Sequence, residues 1–178
     1  MERVHNDNIL ISHDQIKQRV TFLGAEISKE VMQHHPFDLV VVGVLKGSFI
    51  FMADLIRELS VPCEIDFVET SSYGEGTLSS GSVLLKRDIQ LDIQGRDLLL
   101  VEDIVDTGYT VSFLLDHFRV KKPRSMAVCA LLYKPARKVK EVPIDFLGFT
   151  IEDHFVVGYG LDYNNKCREL KDIMIYKE

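Results

Sequence analysis

Four nearly uninterrupted apolar runs constrain this chain more than any other feature. Leu39–Leu45 (LVVVGVL), residues 98–101 (LLLV), residues 126–133 (MAVCALLY) and residues 146–151 (FLGFTI) show no polar alternation, so as strands they need cover on both faces. Helical spacing lies between and before them. Ser12 and Gln15 form a capping box, and Ile16, Val20, Leu23, Ile27 and Val31 then recur at helical intervals, predicting a helix from about His13 to a stop at His34, His35 and Pro36. Phe49, Met52, Ala53, Ile56 and Leu59 mark a second helix closed by Pro62, and residues 64–70 alternate like a strand. Val111, Leu114, Leu115 and Phe118 mark a third helix. Further strands are expected from Val83 and over residues 155–159. Strand, helix, strand, then strand, helix, strand is the pattern of right-handed crossovers, so the fold class is α/β, with a central mainly parallel sheet flanked by helices.

At 178 residues the chain suits a single domain, and neither a repeat nor a linker divides it. The net charge of -6 disfavours nucleic acid and anionic membrane as partners. No apolar segment approaches the roughly 20 residues needed to span a bilayer, and the N-terminal stretch does not resemble a signal peptide, so a cytoplasmic location is expected. Cys63, Cys129 and Cys167 lack CxxC spacing, and the histidines lack metal-binding spacing, which argues against a disulfide framework or a zinc site.

Parallel sheets bind ligands beyond the carboxyl ends of their strands. Two of the apolar runs end in chemistry there. Residues 39–45 lead into Lys46, Gly47 and Ser48, while residues 98–101 run into Glu102, Asp103 and Asp106 and then Thr107, Gly108, Tyr109 and Thr110. A small, hydroxyl-rich loop that opens a helix points unpaired amides outward and suits a phosphate. Three acids beside it suit sugar hydroxyls or a divalent ion, whereas a helix cap needs only one. A ribose 5-phosphate satisfies both halves. The GxxxxGK[ST] and GxGxxG patterns are absent, so P-loop and dinucleotide readings lack their glycines.

VEDIVDTGYT resembles the phosphoribosyl pyrophosphate motif of the type I phosphoribosyltransferases, and the chain around it is similar to the hypoxanthine-guanine phosphoribosyltransferases. LKGS (45–48) resembles their pyrophosphate loop, SSYG (71–74) their mobile catalytic loop, and Lys134 with FVVGYGLDYNNKCREL (155–170) their purine hood. The resemblance implies a type I phosphoribosyltransferase fold whose hood is built mainly from residues 134–178, with the N-terminal residues as a further contributor. It implies that Glu102 and Asp103 hold the ribose hydroxyls directly or through Mg2+, that Asp106 to Thr110 wrap the 5-phosphate, and that Asp106 also serves as general base. Lys46 and Gly47 would meet pyrophosphate, with Arg168 beside it; the Leu45–Lys46 peptide can be cis in this family. Lys134 would donate to a 6-oxopurine, Phe155 would stack on it and Val156 would pair with its edge. Asp162 would reach a second Mg2+, and Ser72 and Tyr73 would belong to a lid that excludes water. The expected partners are a purine base and phosphoribosyl pyrophosphate, and the expected assembly is a homodimer or homotetramer. The competing readings are a nucleotide or RNA sensor that keeps this fold, and a transferase for xanthine or a pyrimidine.

Overall fold

The computed structural model describes residues 8–34, 38–72 and 83–177. Tyr73, the rest of the proposed lid through Ser82, and the helix stop at His35 and Pro36 lie outside the described residues, as does the side chain of Ser72. Nine strands and three α-helices follow in the order β1 (Ile9–Ile11), α1 (His13–His34), β2 (Leu39–Leu45), α2 (Phe49–Glu58), β3 (Cys63–Ser72), β4 (Val83–Arg87), β5 (Asp97–Val105), α3 (Tyr109–Arg119), β6 (Ser125–Tyr133), β7 (Phe146–Thr150), β8 (Val156–Val157) and β9 (Ile173–Ile175), among the described residues.

The main sheet has the order β4-β3-β2-β5-β6-β7, and every pairing in it is parallel except the edge pair β3 and β4. The apolar runs are covered on both faces, as their composition requires. Leu39, Val41, Leu99, Val101, Cys129 and Leu131 face one core with Ile16, Leu23 and Ile27 of α1 and Phe51, Met52 and Leu55 of α2. The intervening residues Val40, Val42, Leu98, Leu100 and Val128 face the other core with Val111, Leu114 and Phe118 of α3. Each fully buried side chain of this size contributes about 1.5–3 kcal/mol by leaving water. Truncating Leu114, which is completely buried, to alanine should cost roughly 2–5 kcal/mol because a cavity is added to the lost transfer energy.

The chain leaves β2 toward β3 on one side and leaves β5 toward β6 on the other, so the topological switch lies between β2 and β5. The loops after those two strands therefore part, and the crevice between them opens at the carboxyl end of the sheet. A second, antiparallel sheet, β1-β9-β8, joins residues near the start of the chain to its end. Among the described residues no helix is long and apolar enough to cross a membrane.

Candidate active site

β5 runs on through Val105, so Glu102 and Asp103 are strand residues rather than residues beyond a strand. Strand alternation separates them. Glu102 continues the α3-facing row of Leu98 and Leu100 and pairs with Ala130 of β6. It is buried, and its Oε2 has no hydrogen-bond partner among the described residues. Burial, followed by the nearby charges of Asp103 and Asp106, raises its pKa well above the ordinary carboxylate value. Asp103 points the other way, into the switch crevice, and its carboxylate occupies the position a side chain on Gly47 would take. Burial raises Asp103 to about 6, against the lowering effect of the Ile104 backbone N–H and of Arg168.

Gly47 thus has a steric reason to be glycine: any Cβ would fall inside the Asp103 carboxylate. The Leu45–Lys46 peptide preceding this contact is cis, and Lys46 is exposed. On the far side of β5, Asp106 Oδ1 accepts a hydrogen bond from Thr107 N. Gly108, with φ of 81°, opens α3 without a side-chain cap, and the first intrahelical hydrogen bond runs from Ser112 N to its carbonyl. The amides of Tyr109, Thr110 and Val111 precede that first bond, which leaves this helix end suited to an anion. The loop is held from behind: Val139 N and Lys140 N both donate to the Thr107 carbonyl, at 3.1 and 2.8 Å.

The predicted purine residues meet at the neighbouring strand end. Lys134 is 5% exposed; its amide donates to the Val105 carbonyl at 2.9 Å, and its Nζ donates to the His154 carbonyl at 2.5 Å with Asp153 Oδ1 at 3.8 Å. Burial lowers its pKa, with Asp153 acting in the opposite direction. Phe155 is 53% exposed, and the rings of Tyr163 and Tyr176 stand edge-on to it with centroids at 5.9 Å while stacking on each other at 4.3 Å. Val156 is buried in β8. Asp162 Oδ1 lies 2.6 Å from Arg168 Nη2, and Arg168 Nη1 donates to the Gly160 carbonyl at 2.6 Å.

Gly47, Asp103, Arg168 and Asp162 therefore form one group, the Asp106–Thr110 loop with the Val139–Lys140 backbone a second, and Lys134 with the His154–Phe155 segment a third. Ser72 pairs with Val83 at the carboxyl end of β3, on the same edge of the sheet. Three participants escaped the sequence reading. Tyr163 and Tyr176 back the exposed Phe155 ring, and Tyr159 bonds to Asp54 of α2. The only available signal was the GYG spacing at 158–160, which marks a tight backbone path but not its partner.

The donor set fits Mg2+. The buried Glu102, with an unpartnered oxygen, and the half-buried Asp103 beside it suit a hard cation, and Mg2+ is commonly held by one or two carboxylates together with waters and substrate oxygens rather than by an all-protein cage. Among the described residues no group of three or more His, Cys, Asp or Glu side chains converges as a metal cage.

A family model described as phosphoribosyl transferase domain matches residues 6–164. The chain is 45% identical to the hypoxanthine phosphoribosyltransferase of Haemophilus influenzae, over 93% of each chain. This chain belongs to the phosphoribosyltransferase family. Within that family it groups with the hypoxanthine and hypoxanthine-guanine phosphoribosyltransferases: it is 43% identical to the Bacillus subtilis hypoxanthine-guanine phosphoribosyltransferase, over 96% of this chain and 93% of that one. A crystal structure of the hypoxanthine phosphoribosyltransferase of Staphylococcus aureus superposes with a TM-score of 0.90 at 38% identity, covering 97% of this chain and 94% of that chain. The α/β architecture expected from the apolar runs is thus that of the type I phosphoribosyltransferases.

Proposed function

We propose that this phosphoribosyltransferase works in purine salvage, joining hypoxanthine or guanine to 5-phosphoribosyl 1-pyrophosphate and giving the 5-monophosphate nucleotide and pyrophosphate, with Mg2+ required. The observation that carries the reading is the pairing, at the switch point, of the buried Glu102, with its unpartnered oxygen, and the neighbouring Asp103 with a helix end one loop later that has no side-chain cap. A ligand with vicinal hydroxyls and a phosphate supplies what each lacks. Glu102 and Asp103 hold the ribose hydroxyls and would hold the metal, Asp162 is the candidate for a second ion, and a bound metal would supply positive charge for the departing pyrophosphate. The amides and hydroxyls of Thr107, Gly108, Tyr109 and Thr110 take the 5-phosphate.

As the bond from C1 of the sugar to the pyrophosphate oxygen breaks, the purine bonds to C1 and gives up a proton at N7, for which Asp106 is the acceptor. Lys46, Gly47 and Arg168 face the pyrophosphate. Ser72 and Tyr73 cover the reacting centre and exclude water from the sugar cation. Lys134 donates to the purine 6-oxo group, which adenine lacks. Phe155 stacks on the ring, and the Val156 backbone pairs with its edge. The single domain carries its hood on β1, β8, β9 and the segment after β6. A homodimer or homotetramer is supported by Phe49, Ile65 and Leu84, large apolar side chains left exposed at the start of α2 and on β3 and β4. We place the enzyme in the cytoplasm.

The test is nucleotide formation with phosphoribosyl pyrophosphate and Mg2+ when hypoxanthine, guanine, xanthine, adenine and uracil are offered separately. Turnover limited to hypoxanthine and guanine is expected. Preference for xanthine or uracil would overturn the purine assignment, and inactivity of folded protein with every base would leave a binding protein.

A further inference from the structure

Gly158, Tyr159 and Gly160 form a strap of three successive left-handed residues, with φ of 97, 50 and 100°. Glycine adopts such angles freely, but a bulky side chain there is strained, so the surroundings must hold it. Tyr159 is held on several sides. The residue is 3% exposed, its amide donates to the Leu170 carbonyl at 2.8 Å, and its hydroxyl donates to Asp54 Oδ2 at 2.8 Å. Burial, then the Asp54 carboxylate, pushes the phenol above its ordinary pKa, so it stays a neutral donor.

Asp54 lies on α2, the helix that begins directly after the Lys46–Gly47–Ser48 loop. The strap touches that loop a second time. Gly160 sits so close to the Gly47 carbonyl that a Cβ would collide with it, and Gly47 in turn abuts Asp103. Gly160 N donates to the Arg168 carbonyl at 3.0 Å, and its own carbonyl accepts from Arg168 Nη1. A surface cavity of about 220 Å³, lined in part by Lys17, Asp54, Arg57 and Tyr159, borders the pair, while on its other side Tyr159 shares an apolar core with Phe51, Met52 and Leu55 of α2. The Phe155 ring is backed by a different set of contacts, from Tyr163 and Tyr176.

We propose that Tyr159 and Asp54 form a positioning pair for the leaving-group half of the site: by tying the strap to α2 they keep Gly160, Arg168 and Asp162 in register with Gly47 and Asp103. Neither residue meets a reacting atom. The inference rests on the reading that Gly47 and Arg168 face pyrophosphate, and it adds that pyrophosphate affinity, not purine affinity, depends on a hydrogen bond made on the far side of the loop.

The experiment compares wild type with Tyr159→Phe, Asp54→Ala and the double variant, measuring KM for phosphoribosyl pyrophosphate and for the purine, KM for pyrophosphate in the reverse direction, and thermal unfolding. Loss of a hydrogen bond to a charged group should raise both pyrophosphate-bearing constants roughly fivefold or more, while purine KM stays within about twofold. The double variant should be no worse than either single one. Asp54→Asn, which keeps an acceptor, should recover most of the loss. Parallel changes in purine and pyrophosphate constants, or wild-type constants with only a lower Tm, would reduce the pair to a structural tie and overturn the proposal. If wild type itself turns over no purine, the functional reading fails separately; calorimetric binding of pyrophosphate to wild type and Tyr159→Phe then decides, with equal affinities overturning the pair.

Discussion

The floor of the site and its purine wall are built in opposite ways. The floor comes from the ends of β2 and β5, two adjacent strands, and it contains a buried acid, Glu102, one of whose oxygens has no partner among the described residues. The wall comes from the end of β6, the strand β8 and the last residues of the chain, and its groups have partners: Lys134 has the His154 carbonyl, and the Phe155 ring has two tyrosine rings behind it. The difference teaches how the two substrates are met. On the proposed function, a charged sugar phosphate and its metal would meet an acid held at a cost until they arrive, whereas a neutral, flat base would meet an assembled surface.

The largest way to break the comparison is Asp106→Asn. If Asp106 moves a proton while backbone amides hold the phosphate, turnover should fall on the order of 10²- to 10⁴-fold with little change in phosphoribosyl pyrophosphate affinity; steady-state kinetics with calorimetric binding checks this, and equal loss of both would remove the general-base role. Next is Lys134→Gln. It exchanges a buried, charged donor for a neutral one, and purine KM should rise roughly 10- to 100-fold while KM for the sugar substrate moves far less. An unchanged base preference would take Lys134 out of the wall.

A smaller effect sharpens the floor. The carboxyls of Glu102 and Asp103 have raised pKa values in the folded protein, so each binds its proton more tightly there than in the unfolded chain. The stability each contributes is therefore present at low pH and is lost as pH rises; for Asp103 the loss spans 3.8 to about 6. Without metal, Glu102→Gln should raise Tm at neutral pH and weaken that decline, while lowering Mg2+-dependent affinity for the sugar substrate. A lower Tm would mean that Glu102 has a partner in the resting protein. The smallest expected effect is at Tyr176→Leu, which removes one ring behind Phe155. An edge-to-face pair is worth about 0.5–1.5 kcal/mol, so purine KM should rise only about 2- to 10-fold.

The floor was legible in the sequence because its parts are contiguous: an apolar run, then acids, then a loop opening a helix. The valine-rich runs revealed both cores for the same reason, since a strand without polar alternation requires two covers. The wall was less legible. β1 and β9 are three residues each and pair across about 160 positions, Ile9 with Met174, and so short a segment has no measurable period. Tyr176 reads as a terminal residue until β9 carries it beside Phe155. The Tyr159 to Asp54 hydrogen bond joins positions 105 apart, and nothing local in either segment names the other. The strand end at Val105 was also hidden, because acids in sequence suggest a loop although β5 runs on past Glu102 and Asp103 in its ladder to β6, leaving only Asp106 beyond it.

The most direct test of an unsatisfied floor beside a satisfied wall is calorimetric binding of phosphoribosyl pyrophosphate to wild-type protein, with and without Mg2+, set beside binding of the nucleotide product under the same conditions. Sugar-substrate affinity that depends strongly on Mg2+, and that loses most of this dependence in Glu102→Gln, is the predicted result. Equal affinity with and without the metal, or a dependence that Glu102→Gln leaves intact, would contradict it.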